Sequence, residues 1–268
     1  MLLQAAALGV VQGLTEFLPV SSSAHLILAR AFFGWNSDQF GIPFDVACHV
    51  GTLLAVVVYF APELRGMVRA LPGALNHKGD KSVHQIWLLG AGTLPIVVAG
   101  FVFNDFVSHS LRTPGVAVVT LAGGAGLLIG AARIGARTRG EESLIMFEAI
   151  GLGLAQAAAL VPGVSRSGAT ITLAMFWGLR PDAAARFSFL LGVPAILAAA
   201  GYEGLGVIRS GLLPGAAPLF IVGIVTSGTV GYLTVKYFLQ FVSTRALDLL
   251  AAYRFALAAA TVAWVLNR

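Results

Sequence analysis

Cysteine and charge are what this sequence has least of. One cysteine, Cys48, among 268 residues excludes an intrachain disulfide and any cysteine-rich metal site, and reads as a small packing residue. Charged side chains make up 11% of the chain against 57% hydrophobic, outside the range of soluble domains. The N-terminal apolar run has no basic region before it and no small-residue cleavage site after it, so it is expected to stay in the mature protein. The net charge of +5 is spread over short connectors between apolar runs, which is the pattern of membrane topology and not of a nucleic-acid surface.

What is present instead is a series of apolar segments, at 2–18, 24–34, 44–60, 85–103, 114–132, 144–160, 168–178, 187–203, 217–241 and 247–266. Most approach the roughly 20 residues needed to cross a hydrocarbon core, but the second and seventh do not. Each of those two follows a proline and a serine cluster, VSSSAH after Pro19 and VSRSGAT after Pro162. Irregular backbone at membrane depth is tolerated only where protein or water surrounds it, so each pair of segments is expected to form a re-entrant hairpin. The fold class that follows is an all-α polytopic membrane protein, with two re-entrant helix hairpins and about six full transmembrane helices in one integral domain, 1–268.

Charge parity gives a topology. With the connector 61–84 (Arg65, Arg69, Lys78, Lys81) and the connector 133–143 (Arg133, Arg137, Arg139) both cytoplasmic, the hairpin at 2–34 opens outward, the hairpin at 144–178 opens inward, and both termini lie outside. Most of the seventeen basic residues then face the cytoplasm. A shift of 144 positions also lays GVVQGLTEFLPVSSSA over GLAQAAALVPGVSRSG without a gap, pairing Gln12 with Gln156, Ser21 with Ser165 and Ser23 with Ser167. Two halves, about 1–132 and 144–268, would be an inverted repeat whose broken tips meet near the midplane.

The tips carry the polar chemistry. Gln12 and Glu16 share a helical face, Pro19 ends that helix, and Ser21, Ser22 and Ser23 are N-cap residues for a half-helix holding His25. The second tip adds Ser165, Arg166, Ser167, Gly168 and Thr170 and another helix N-terminus. Two such termini and an arginine suit a phosphate or pyrophosphate. An intramembrane carboxylate costs at least ~2.5–3.5 kcal/mol, which favours a purpose for Glu16; a structural Glu16–Arg166 ion pair is the rival reading. His25 beside a carboxylate fits a general acid or base. His49, His77, His84 and His109 share no metal-ligand spacing, and the last three read as solvated. Asp45, Asp105, Glu141, Glu142 and Asp182 fall at segment ends, where interfacial solvation makes charge cheap. Glu203 and Arg254 pair or lie near an interface, and GAGT at 90–93 and GIVTSGTVG at 223–231 read as small-residue packing faces.

QGLTEFLPVSSSAH and PGVSRSGAT resemble the two signature motifs of the undecaprenyl-pyrophosphate phosphatases, the bacitracin-resistance family, and FDVACHVGTLLAVVVYF and the segment order extend the resemblance along the chain. The resemblance implies a multi-pass enzyme of the bacterial inner membrane that hydrolyses the C55 pyrophosphate to its monophosphate. It implies a site open to the periplasm, a divalent cation (Mg2+ or Ca2+), recycling of the lipid carrier for peptidoglycan, and bacitracin resistance. By position it marks Glu16, Ser22, His25 and Arg166 as catalytic, with Gln12, Ser21, Ser23, Ser165, Ser167, Gly168 and Thr170 binding substrate and Glu16 as the candidate metal ligand. Gln12 stands where the family often has glutamate, which puts a two-carboxylate scheme in doubt. Ser22 is the candidate nucleophile, with His25 as base or acid and Glu16 orienting His25 or holding the metal; a metal-activated water is the competing version. The partners implied are a polyprenyl pyrophosphate and the bilayer, with a homodimer left open. An inverted-repeat transporter or lipid flippase, a dual phosphatase and flippase, and an intramembrane serine protease are the other classes.

Overall fold

The computed structural model describes residues 1–35, 38–74, 81–210 and 214–267; His77 lies outside them. The named elements are all helical: α1 (Leu2–Thr15), α2 (Ser22–Phe33), α3 (Ile42–Tyr59), α4 (Ala61–Ala74), α5 (Lys81–Phe106), α6 (Pro114–Ile134), α7 (Met146–Ala158), α8 (Arg166–Phe176), α9 (Pro181–Ser210), α10 (Ala216–Phe241) and α11 (Thr244–Leu266). A π-helical turn and a 3-10 turn sit in the connectors before α6 and α7. Among the described residues six helices, α3, α5, α6, α9, α10 and α11, are long and apolar enough to cross a membrane, which makes this a multi-pass membrane protein. The apolar residues that cover its outside, such as Leu94, Val98 and Phe101 on α5, suit a lipid solvent.

Local sequence sets most helix ends. Thr113 and Ser243 cap α6 and α11 by accepting from Val116 and Ala246 N–H, and Gly34 closes α2 in the left-handed region. The connector 61–84 is not all loop. Its first part forms α4, whose Leu64 and Met67 pack inward while Arg65 and Arg69 stay exposed. Helix α9 is also longer than its apolar run, extending to Pro181 and Ser210.

Two helix pairs are short. At about 1.5 Å per residue, α2 and α8, with 12 and 11 residues, cover roughly 17–18 Å, far below the ~30 Å of a hydrocarbon core. The turns that precede them match. Ser21 and Ser165 both have positive φ, 73° and 74°, and both accept a hydrogen bond on Oγ from the N–H three residues on, Ala24 and Gly168. A non-glycine residue in that region is strained, and here it occurs twice at positions that the 144-residue shift superposes.

Helix α10 packs on α1 and α3, α5 on α7 and α9, α11 on α6, and α3 on α9. The small-residue faces do this work, as expected. Gly9 and Gly13 of α1 and Gly51 of α3 lie against Gly223, Ser227 and their neighbours on α10, and Gly92 of α5 lies against Ala149 and Gly153 of α7, with no room for a Cβ. Phe17 meets Phe189 edge-on at 5.2 Å in the central core.

The ends of the molecule are closed by charge. At one, Arg186 of α9 reaches Glu63 at 2.9 Å and Glu141 at 3.4 Å and lies over the Phe60 ring, while Arg139 holds Glu148 through two hydrogen bonds of 2.6 and 2.9 Å. Burial raises the Glu141 carboxyl above its ordinary pKa despite Arg186. Elsewhere, Asp45 is 5% exposed and clamped by Arg30 and Arg112, each at 2.6 Å, so it is a paired buried charge and not the solvated end residue expected. His84 and His109 are at the surface, as read from the sequence.

Candidate active site

Glu16 follows directly on α1, and the turn after it brings Ser21, Ser22 and Ser23 back to face its carboxylate. Oε2 accepts from Ser22 Oγ at 2.7 Å and from the Gln12 amide at 2.8 Å, and lies 3.2 Å from His49 Nδ1 on α3. Oε1 accepts from Arg166 Nη2 at 2.9 Å, so the opposite turn meets the first through an ion pair. The other terminal nitrogen of Arg166, Nη1, is buried with no protein partner, and the guanidinium packs on Gly192 of α9, where a Cβ would overlap it. A buried N–H group without a protein partner is a donor that a bound anion could satisfy.

These groups line an open cavity with about 720 Å³ of empty volume. Its polar wall is Glu16, Ser21, Ser22, Ser23, His49, Ser165 and Arg166; its apolar wall is Val46, Ile96, Ala159, Ala195, Ile196 and Ala199. Ser22 and Arg166 are the first residues of α2 and α8, so the N-terminal ends of both short helices, with their unpaired N–H groups, reach this space.

Three expected site residues make bonds within the protein, and one of them, Ser167, joins the two turns. Ser167 Oγ donates to the carbonyls of Glu16 and Leu18 at 3.2 and 3.1 Å, the Gly168 N–H caps onto Ser165, and Thr170, fully buried, meets Ser188 Oγ at 2.5 Å. Gln12 lies behind Glu16, outside the cavity wall. His25 is placed differently from expectation. Its Nδ1 bonds the Ser21 carbonyl at 2.7 Å, its Nε2 meets the Tyr253 hydroxyl at 2.7 Å, and its ring stacks on Tyr253 of α11. The expected contact of Glu16 with His25 is not formed, because the carbonyl of its own turn and Tyr253 draw the ring toward α11. His49 occupies that place.

Arg254 also departs from its expected place, in a pair with Glu203 or near an interface. It does not pair with Glu203. At 1% exposure it donates to five backbone carbonyls: Pro19 in the first turn, Gly163 and Val164 in the second, and Thr120 and Leu121 on α6, all at 3.0–3.2 Å. A lone arginine within an apolar run was the visible signal, but its acceptors were not.

The fold and site together define a polytopic helical membrane protein with a buried Glu16–Arg166 pair between two matched turns, each leading into a short helix. The family described as Bacitracin resistance protein BacA matches residues 5–260. Proteins named undecaprenyl-diphosphatase are similar along the whole length: that of Rubrobacter xylanophilus is 48% identical over 99% of this chain and 98% of its own. Those of Thioalkalivibrio sulfidiphilus and Aliivibrio salmonicida are 42% identical (96% of this chain, 97% of the relative) and 40% identical (96% of each). This chain belongs to the BacA bacitracin-resistance family.

Proposed function

We propose that this protein hydrolyses undecaprenyl pyrophosphate to undecaprenyl phosphate and inorganic phosphate, returning the lipid carrier to cell-wall synthesis and conferring bacitracin resistance when abundant. The observation that carries this reading is Arg166, which pairs with Glu16 through one nitrogen, keeps the other buried without a partner, and lines a cavity whose second wall is apolar. A pyrophosphate fits the polar wall, and the first isoprene units fit the wall of Val46, Ile96, Ala195 and Ala199. The relatives named undecaprenyl-diphosphatase support the same chemistry.

In the mechanism that fits these distances, Ser22 Oγ attacks the terminal phosphorus and its proton passes to Glu16 Oε2, to which it already donates at 2.7 Å. The bond from phosphorus to the bridging oxygen breaks, and its electron pair leaves with the lipid monophosphate. Water then attacks the phosphoserine and releases inorganic phosphate. Arg166 and the helix N-termini stabilise the charge on the phosphoryl oxygens, the main task in phosphoryl transfer. Purified protein in detergent is expected to release phosphate from a prenyl pyrophosphate, and binding without release would sink the reading. Acid quench during turnover is expected to trap phosphoserine at Ser22, and near-normal turnover in Ser22→Ala would move the attack to water.

A divalent cation, Mg2+ or Ca2+, belongs to the proposal with a restricted place. Glu16 is the one carboxylate among the cavity-lining residues, both its oxygens already accept hydrogen bonds, and no group of three His, Cys, Asp or Glu side chains gathers among the described residues. Glu16 is the residue of this chain that would hold such a cation. When bound, it would neutralise phosphoryl charge.

The position of Gly192 gives a sharper test of Arg166. Gly192→Ala leaves every polar group in place but forces the guanidinium off α9. Turnover is expected to fall roughly 100-fold, as for a misplacement of about 1 Å. Activity within a factor of three of the parent would mean that the position of Arg166 is not critical.

The two short helix pairs are read as re-entrant hairpins of an inverted repeat in the bacterial inner membrane. Exchange of the halves maps the α10 contacts with α1 and α3 onto the α5 contacts with α7 and α9, which supports this. The α7–α8 pair opens toward the end where Arg139 meets Glu148 and Arg186 meets Glu63, taken as cytoplasmic from the charge count. The α1–α2 pair then opens toward Arg30, Asp45 and Arg112, taken as the periplasmic end, with both termini outside.

A further inference from the structure

Gln12, the departure from a paired-carboxylate site, has a specific geometry. Its side chain is fully buried, its amide nitrogen lies 2.8 Å from Glu16 Oε2 and also 2.8 Å from His49 Nδ1, and its amide oxygen has no partner. The amide has one workable orientation. Reversed, its oxygen would stand 2.8 Å from a carboxylate oxygen, acceptor against acceptor. With nitrogen there, one N–H goes to Glu16 and the second points at His49 Nδ1, which must present a lone pair. A hydrogen on Nδ1 would oppose that N–H. This arrangement leaves the His49 hydrogen on Nε2, with Nδ1 also 3.2 Å from Glu16 Oε2. The side chain of His49 is 29% exposed and lines the cavity, with no hydrogen bond from Nε2 among the described residues.

We propose that His49 touches the substrate as a neutral hydrogen-bond donor, giving Nε2–H to a phosphoryl oxygen as charge develops there, and that Gln12 is the positioning residue that holds His49 in this tautomer. No proton is transferred, since loss of Nε2–H would leave an imidazolate; Glu16 takes the proton from Ser22. A donor fixed in place before the reaction stabilises the transition state without reorganising. Gln12 thus replaces a second carboxylate by a group that orders both Glu16 and His49. The identity of the acceptor rests on the phosphatase reading, whereas the tautomer does not.

The test uses the full-length protein in detergent with 15N-labelled histidine, and His49 is assigned by difference from His49→Gln. The expected spectrum has an unprotonated Nδ1 and a protonated Nε2 for His49. In Gln12→Glu the hydrogen is expected to move to Nδ1, because a carboxylate at position 12 accepts where the amide donated. In phosphate release, His49→Leu is expected to lose about 100-fold or more in kcat, while His49→Gln, whose amide can donate from the same region, recovers to within about 10-fold of the parent. A general acid would not be replaced by glutamine. A protonated Nδ1 in the parent protein, an unchanged tautomer in Gln12→Glu, or a His49→Gln variant as inactive as His49→Leu would each overturn the proposal. If the parent releases no phosphate from a prenyl pyrophosphate, the phosphatase reading fails, and the nitrogen spectrum still decides the role of Gln12.

Discussion

Arg166→Ala is expected to lower phosphate release from a prenyl pyrophosphate by about 10³-fold or more, the range seen when an arginine that stabilises a phosphoryl transition state is removed. Arg166→Lys should recover little. The guanidinium holds Glu16 through Nη2 at 2.9 Å while Nη1 stays buried and unpaired beside Gly192, and a single ammonium cannot present both nitrogens in that fixed fork. Glu16→Gln should fall by a similar factor, since an amide cannot take the Ser22 proton and would set its N–H groups against those of Gln12 or Arg166. The two losses are expected not to add, because each variant dismantles the same pair. The rival view makes the Glu16–Arg166 contact only a strut between the turns. That view calls for a lowered melting temperature in both variants with substrate turnover reduced in proportion to unfolded protein. Turnover and thermal unfolding measured on the same detergent samples separate the two: loss of kcat at an unchanged midpoint supports chemistry, and loss of both together supports the strut.

Arg254→Leu is expected to be the most destabilising single change in the protein. This side chain donates to five backbone carbonyls from three segments; those of Thr120 and Leu121 also lie within helix α6, but for Pro19, Gly163 and Val164 a buried carbonyl left without a partner costs roughly 1–3 kcal/mol each. Even with partial relaxation the loss should be about 3–5 kcal/mol. The thermal midpoint should drop and the folded fraction should turn over poorly, because Pro19, Gly163 and Val164 are the carbonyls that set the spacing between the two turns. Gly124 and Gly168 leave no space beside the guanidinium, so relaxation cannot come from neighbouring side chains closing in. A wild-type midpoint in Arg254→Leu would show that the turns are held by other contacts.

The legibility of this protein was uneven in an instructive way. The break after Glu16, the serine caps of α2 and α8, and the placement of Arg166 opposite Glu16 followed from short-range patterns: a proline, hydroxyls at an N-cap, and one charge of each sign in apolar surroundings. The glycine and serine faces of α10 were also readable, because close helix approach needs small residues at helical spacing. Asp45 was misplaced since a charge at a segment end is normally solvated, and the two arginines that bury it come from 15 residues before it and 67 residues after it. His25 looked right beside Glu16 on paper. On the helix its ring turns to Tyr253, 228 residues away.

Composition and neighbours within one or two helical turns suffice to make the chain a multi-pass helical membrane protein, to place its helix breaks and to put its polar residues at two matched turns. Which imidazole meets Glu16 and what holds the turns together depend on contacts between distant segments. The azimuth of His49 is set by the close approach of Gly51 to α10, a contact spanning the two halves of the chain. The acceptors of Arg254 are main-chain carbonyls, which every residue possesses and no sequence letter distinguishes, so their convergence on one guanidinium exists only once the helices have packed.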